Sequence, residues 1–115
     1  MEICRISENE FEPFLQEKEY TVVLFDAPWD VGPGAIIRPL FEKAAGALNS
    51  QVNFGEVNCD EFSRVKSIPI LNVPTVAYYK GRQLIAALIG AQQDVTRRTQ
   101  AMLDGEQIGR NDGWG

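Results

Sequence analysis

The amino-acid sequence predicts an α/β fold in which strands and helices alternate in the order βαβαβαββα. Three observations support this fold class. Runs rich in β-branched and aromatic residues, such as YTVVLFDA at 20–27, are typical of strands. The segments between such runs repeat apolar residues at helical spacing. Towards the C-terminus, two strand-like runs stand only a short turn apart, which indicates an antiparallel hairpin.

The first 27 residues predict a strand, a helix and a second strand. EICRI at 2–6 has the composition of a short strand. Ser7 and Glu10 have the spacing of a capping box, which predicts the start of a helix. The run at 20–27 is dense enough in apolar residues to predict a central strand covered on both faces. Apolar residues at helical spacing follow the capping box: Phe11, Phe14 and Leu15.

The second predicted helix begins near Pro33 or Gly34, because proline is favoured in the first turn of a helix. Pro39 falls inside this helix and removes a backbone donor, so we expect a bend there. The residues predicted to face the core are apolar and helically spaced: Ile36, Ile37, Leu40, Phe41, Ala44, Ala45 and Leu48.

The remaining elements follow from residue 52 onwards. VNFGEVN at 52–58 predicts a strand, and CDEFSRVKS predicts a short helix that opens on Asp60. PTVAYYK at 74–80 and QLIAALIG at 83–90 predict the two strands of the hairpin. The final helix is predicted to be capped by the carboxylate of Asp94. Three of its residues are predicted to face the core: Val95, Thr99 and Met102.

These elements predict one domain over residues 1–104. The segment 105–115 has four glycines and little periodicity, so we expect a flexible tail unless Ile108 or Trp114 docks.

Composition narrows the possible functions. The 115 residues, 44% of them hydrophobic, fit one compact domain. The net charge of −5 and the scattered positions of the 11 basic residues argue against a nucleic-acid partner. No apolar run approaches the ~20 residues needed to span a bilayer. The N-terminus lacks the basic-then-apolar order of a signal peptide, so we expect a cytoplasmic protein with no membrane partner.

The ionisable and thiol side chains form no pattern typical of a catalytic or metal site. Cys4 and Cys59 stand far apart, and the chain contains no histidine that could act as a metal ligand or as a base for a thiol. We therefore predict no metal and no cofactor, and we expect both cysteines to be reduced and to serve mainly in packing. Asp26, Asp30 and Glu56 show no paired spacing and are predicted to be solvated surface residues.

Several short motifs occur at characteristic distances from one another: APW at 27–29, Gly-Pro at 32–33, VNCDE at 57–61, VPT at 73–75 and Gly-Ala at 90–91. In this arrangement they resemble the thioredoxin family, from about Ile3 to Leu103. The resemblance implies the thioredoxin fold, with a central mixed β-sheet flanked by helices on both faces. It also implies a cis peptide bond before Pro74, beside the active site of the family.

The sequence departs from the family where the family carries out its chemistry. In place of Trp-Cys-Gly-Pro-Cys it has Trp29-Asp30-Val31-Gly32-Pro33-Gly34. Either Val31 and Gly34 or Asp30 and Gly34 fall in the two cysteine positions. None of these residues can attack a disulfide as a thiolate or resolve a mixed disulfide.

A second departure concerns the acid that the family buries beneath its active site. Counted back from Trp29, that position is Leu24, and the lysine that commonly accompanies the acid falls at Glu56. The resemblance thus implies a thioredoxin-like chain that lacks thiol-disulfide oxidoreductase activity.

The peptide-binding groove of the family is better preserved than its catalytic residues. We predict that this groove binds an extended segment of a partner protein, and that the chain is a redox-inactive binding module, adaptor or chaperone-like subunit. The alternative is a monothiol redox protein that uses Cys59 or Cys4. The residues that the resemblance assigns to the groove are Trp29, Val73, Pro74, Thr75, Gly90 and Ala91.

Overall fold

The fold is built around one five-stranded mixed sheet. The structure is a computed structural model that describes residues 3–27, 32–59, 74–90 and 92–108. The strands lie in the order β1-β3-β2-β4-β5, in which β1 and β2 run parallel to β3 while β4 runs antiparallel to both β2 and β5. Their bounds are Ile3–Arg5 for β1, Tyr20–Asp26 for β2, Val52–Asn58 for β3, Thr75–Lys80 for β4 and Gln83–Ile89 for β5.

Helices cover both faces of the sheet. Helices α2 (Pro33–Leu48) and α3 (Val95–Leu103) pack on one face, and α1 (Phe11–Leu15) packs on the other. Strand β2 lies third of five, and its residues from position 21 onwards are buried. This arrangement confirms the predicted α/β fold, with a central mixed sheet flanked by helices on both faces.

The capping box at residues 7–10 forms as predicted, although the first turn after it, Glu8–Glu10, is a 3₁₀ helix. The backbone N–H of Ser7 donates to Oε1 of Glu10 at 3.0 Å, and the Ser7 hydroxyl donates to the same oxygen at 2.8 Å. Both bonds lower the pKa of the Glu10 carboxyl, and the bond from the backbone N–H has the larger effect. Their contribution to stability is therefore present above the ordinary glutamate pKa and is lost as the pH falls through the lowered one.

Two apolar clusters hold the layers together. On the α2 and α3 face, the ring of Phe41 meets that of Phe54 edge-on with centroids 5.6 Å apart. On the α1 face, Phe11 lies 5.9 Å from both Phe25 and Tyr79. Aromatic pairs at such distances add to the free energy gained from burying their area.

The predicted inward stripe of α2 is wrong at Ile36, which is 47% exposed. Residues Ile37 and Phe41 face the sheet and are buried. Since successive residues of an α-helix are about 100° apart around its axis, Ile36 lies to one side of the buried stripe. Leu40, which was also predicted to face the core, is half-buried and packs against the same cluster.

Helix α3 begins and ends with well-formed caps. The Asp94 carboxylate accepts a hydrogen bond from the Arg97 N–H at 3.1 Å, as predicted. At the other end, Gly105 adopts φ +75°, and the N–H of Glu106 donates to the carbonyl of Ala101 at 2.8 Å. This Schellman arrangement reverses the chain.

The reversed chain brings Ile108 back onto the core. Its side chain is buried in the cluster under α2 and α3. The sequence analysis left open whether this residue docks, and the structure shows that it does, although residues 104–107 before it are exposed. Three predicted features lie outside the described residues: the short helix that opens on Asp60, the docking of Trp114 and the cis peptide bond before Pro74.

Candidate functional site

The start of α2 occupies the place that the thioredoxin resemblance assigns to the catalytic thiols. Gly32 is the N-cap, Pro33 is the first helical residue, and Gly34 is buried. The N–H of Ala35 donates to the Gly32 carbonyl at 3.1 Å and closes the first turn. The described turn therefore presents backbone and no thiol. The segment 28–31, with Trp29, Asp30 and Val31, lies outside the described residues.

Three of the predicted groove residues lie together at one end of the sheet. Pro74 directly precedes β4, Thr75 is its first residue, and Gly90 follows β5. The Gly90 N–H donates to the Pro74 carbonyl at 3.1 Å. Gly90 has φ +126°, a conformation that side-chain-bearing residues rarely adopt. Val73 and Ala91, the other predicted members on these two segments, lie outside the described residues.

A buried glutamine that the sequence analysis missed supports this end of the sheet. Gln93 is 1% exposed, and its Nε2 donates to the carbonyls of Leu88 and Gly90, both at 2.8 Å. Glutamine is usually a surface residue, and nothing in the local pattern predicts its burial. The only sequence signal is its position, directly before the Asp94 cap and three residues after Gly90.

The two positions that the resemblance assigns to the buried acid and its lysine do lie side by side. Leu24 and Glu56 are register partners on the parallel strands β2 and β3. Register partners in a parallel pair point to the same face, so a lysine at position 56 could reach an acid at position 24. In this chain Leu24 is buried as part of the apolar cluster.

A buried acid lies two residues further along the same strand. Asp26 is 2% exposed, and its Oδ2 lies 2.8 Å from Nη2 of Arg38 on α2. Nε of Arg38 lies 3.6 Å from Oε2 of Glu56. The prediction that Asp26 is a solvated surface residue is therefore wrong. Alternation along β2 turns Asp26 to the face that α2 covers, the same face as Leu24.

These charged residues line a small cleft at the carboxyl ends of three parallel strands. The cleft has a volume of about 290 Å³. Its lining includes Arg5 from β1, Asp26 from β2, Glu56 and Asn58 from β3, and Arg38 from α2. The lining carries two guanidinium groups and two carboxylates, so its formal charges balance.

The two cysteines differ in exposure. Cys4 is exposed on the edge strand β1. Cys59 directly follows β3, is half-buried and packs against the cluster on the α1 face. The prediction of a packing role fits Cys59 better than Cys4. Within the described ranges, no three histidine, cysteine or acidic side chains gather as metal ligands.

The described helices include none that is long and apolar enough to cross a membrane.

Comparison with known proteins links this geometry to one family. The thioredoxin family model matches residues 2–101. Thioredoxin 1 of Nostoc sp. is 27% identical over 95 residues, which cover 81% of this chain and 88% of that protein. The chloroplastic thioredoxin M4 of Arabidopsis thaliana is 30% identical over 93 residues, or 79% of this chain, and the match spans only 48% of the plant protein. The crystal structure of Malassezia sympodialis thioredoxin, Mala s 13, superposes with a TM-score of 0.74 at 28% identity, covering 90% of each chain.

Proposed function

Because the chain belongs to the thioredoxin family, we propose that it is a redox-inactive member that binds an extended segment of a partner protein and serves as a binding module, adaptor or chaperone-like subunit. The observation that carries this proposal is the contrast between two neighbouring sites. The first turn of α2 has Gly32, Pro33 and Gly34 where the family has its thiol chemistry, whereas Pro74 and Gly90, which the resemblance assigns to the groove, are joined by a backbone hydrogen bond.

Dithiol exchange needs a nucleophile and a resolving thiol at the start of α2. The helix N-terminus lowers a thiol pKa and so favours the reactive thiolate, but only where a cysteine stands there. The acid position under the site holds Leu24, and the carboxylate of Asp26 nearby is paired with Arg38. That carboxylate has no thiol at the described helix start with which to exchange a proton.

By resemblance, the groove would suit the addition of an extended strand. A glycine at position 90 leaves room for a second backbone to approach. By resemblance, the backbone of Val73 would pair with the bound segment, and Trp29 would supply an apolar anchor. By resemblance, Ala91 would form the remaining wall of the groove. These roles favour recognition of an extended, unfolded or loop segment over recognition of a small molecule.

We also propose a reducing compartment such as the cytoplasm. Cys4 is exposed and would be open to oxidation elsewhere. Some relatives are named as chloroplastic, so the chloroplast is a second candidate compartment.

A monothiol redox protein is the second candidate function. The exposure of Cys4 favours it, as do relatives that are named thioredoxins. Cys59, half-buried at the end of β3, is the other possible nucleophile.

Insulin reduction by dithiothreitol separates the two functions. We expect the purified chain to leave the rate at its uncatalysed value, because attack and resolution both need thiols at the helix start. The matched control is the double variant Cys4→Ser, Cys59→Ser, which should give the same rate. Catalysis that disappears in Cys4→Ser or Cys59→Ser would establish the monothiol function, and catalysis retained in the double variant would contradict both.

A further inference from the structure

The charged side chains that line the cleft at the ends of β1, β2 and β3 differ in how far a ligand could reach them. Asp26 and Arg38 form a close pair at 2.8 Å, and the carboxylate of that pair is only 2% exposed. Arg5 is exposed, and the Glu56 side chain is 28% exposed. The cleft therefore presents one accessible cation and one accessible anion beside a pair whose charges already offset each other.

Arg5 and Glu56 are register partners on the parallel strands β1 and β3. Such strands lie about 4.8 Å apart, and their register partners point to the same face of the sheet. Even so, none of the ion pairs among the described residues involves Arg5. Glu56 is held from its other side, with Oε2 3.6 Å from Nε of Arg38. A guanidinium group and a carboxylate thus stand on neighbouring strands without pairing to each other.

We propose that this cleft binds a small zwitterion, an α-amino acid, with its carboxylate against Arg5 and Arg38 and its ammonium group against Glu56. An α-amino acid carries both charges on one carbon atom, so one small ligand meets two neighbouring side chains of opposite sign. Hydrogen bonds between charged groups are stronger than those between neutral ones. A simple anion or cation would satisfy one side chain and meet a like charge on the other, which is unfavourable.

The size and place of the cleft suit such a ligand. Its volume of about 290 Å³ is at the lower end of the range for ligand pockets, about 300–1,000 Å³. Open α/β sheets bind ligands beyond the carboxyl ends of their strands. The apolar members of the lining are Ala27 and Val57, so glycine or alanine fits better than an amino acid with a large side chain. The lining includes no residue assigned to the groove, and the inference is independent of the proposed function.

A titration of the ¹⁵N-labelled chain with L-alanine at constant ionic strength tests the inference. We expect saturable amide shifts around Arg5, Glu56 and Asn58, with a Kd of about 1 mM. Two smaller compounds each lack one of the charges: propionate has no ammonium group, and ethylammonium has no carboxylate. Each should bind at least about tenfold more weakly, because it leaves one of the two charged side chains unmatched.

Two variants remove the accessible charges one at a time. Arg5→Gln and Glu56→Gln should each weaken the binding of L-alanine at least about fivefold, because a charge-assisted hydrogen bond is lost. Arg82→Gln is the matched control, since Arg82 is an exposed arginine outside the cleft lining, and it should leave the Kd unchanged. Arg38 is kept in all variants because it compensates the buried carboxylate of Asp26. The two single-charge compounds are tested on the wild type, so the test does not depend on the folding of a variant.

The possible results separate clearly. Saturable binding of L-alanine that weakens in Arg5→Gln and persists in Arg82→Gln would support the site. The absence of saturable shifts up to about 30 mM, roughly thirtyfold above the expected Kd, would overturn it. Equal affinities for L-alanine and propionate would also overturn it, because the ammonium group would then contribute nothing. Neither negative result would affect the proposed function of the groove.

Discussion

Replacing Arg38 with methionine should lower the free energy of unfolding by about 2–3 kcal/mol. The change leaves Asp26, 2% exposed, without the guanidinium that lies 2.8 Å away. Removing one partner of a fully buried pair typically costs about 3–5 kcal/mol. The value expected here is smaller because the Arg38 side chain is 40% exposed and water already screens part of the interaction. Urea unfolding of the two proteins measures the difference.

A surface ion pair of the same chemistry serves as the control. Arg82 lies 3.0 Å from Glu12 with both side chains exposed, so Arg82→Met should cost less than about 1 kcal/mol. Equal losses of unfolding free energy in Arg38→Met and Arg82→Met would show that burial of Asp26 does not depend on Arg38.

Gly55→Ala should destabilise the protein by about 2 kcal/mol, because the space next to this glycine in β3 is filled. A Cβ placed there would overlap Cδ1 of Ile6 and lie 2.7 Å from Cε2 of Phe14. Forcing an added methyl into a packed core typically costs about 1–3 kcal/mol. Thermal or urea unfolding measures the change.

Gly46 in α2 offers the opposite case. A Cβ there meets nothing within 4 Å, so Gly46→Ala should stabilise by about 0.5–1 kcal/mol through the better helix propensity of alanine.

A double variant tests the cause of the Gly55→Ala loss. Shortening the obstructing Ile6 side chain in Gly55→Ala, Ile6→Val should recover part of the lost free energy of unfolding. If Gly55→Ala behaved like Gly46→Ala, the close packing of α1 against β3 would be wrong.

The elements of the fold were predictable because their signals are local. The strand at 52–58 has the predicted bounds, and β2 ends one residue earlier than predicted. The capping box of Ser7 and the Asp94 cap are also read from residues three apart, and both form.

The features that the sequence did not reveal depend on contacts between elements. Asp26 and Arg38 are twelve positions apart on a strand and a helix, and only the packing of α2 on the sheet brings them together. Gln93 is buried because two strand-end carbonyls need a donor, a need that no local pattern records. The positions of the groove came from the family resemblance, since no spacing rule links Pro74 to Gly90.

The central claim is that the domain binds extended segments without thiol chemistry, and one titration tests it directly. The probe is S-carboxymethylated α-lactalbumin, which is unfolded and has every thiol blocked. It is titrated into the Cys4→Ser, Cys59→Ser chain and into the same chain carrying Trp29→Ala or Ile85→Ala. Ile85 is the control for general stickiness, since it is an exposed isoleucine on β5, five residues before Gly90.

We predict that the thiol-free chain binds the probe, that Trp29→Ala weakens binding about 30-fold, equivalent to the ~2 kcal/mol of an aromatic hot spot, and that Ile85→Ala leaves it unchanged. Binding that requires Cys4 or Cys59, or that falls equally in Trp29→Ala and Ile85→Ala, would contradict the claim.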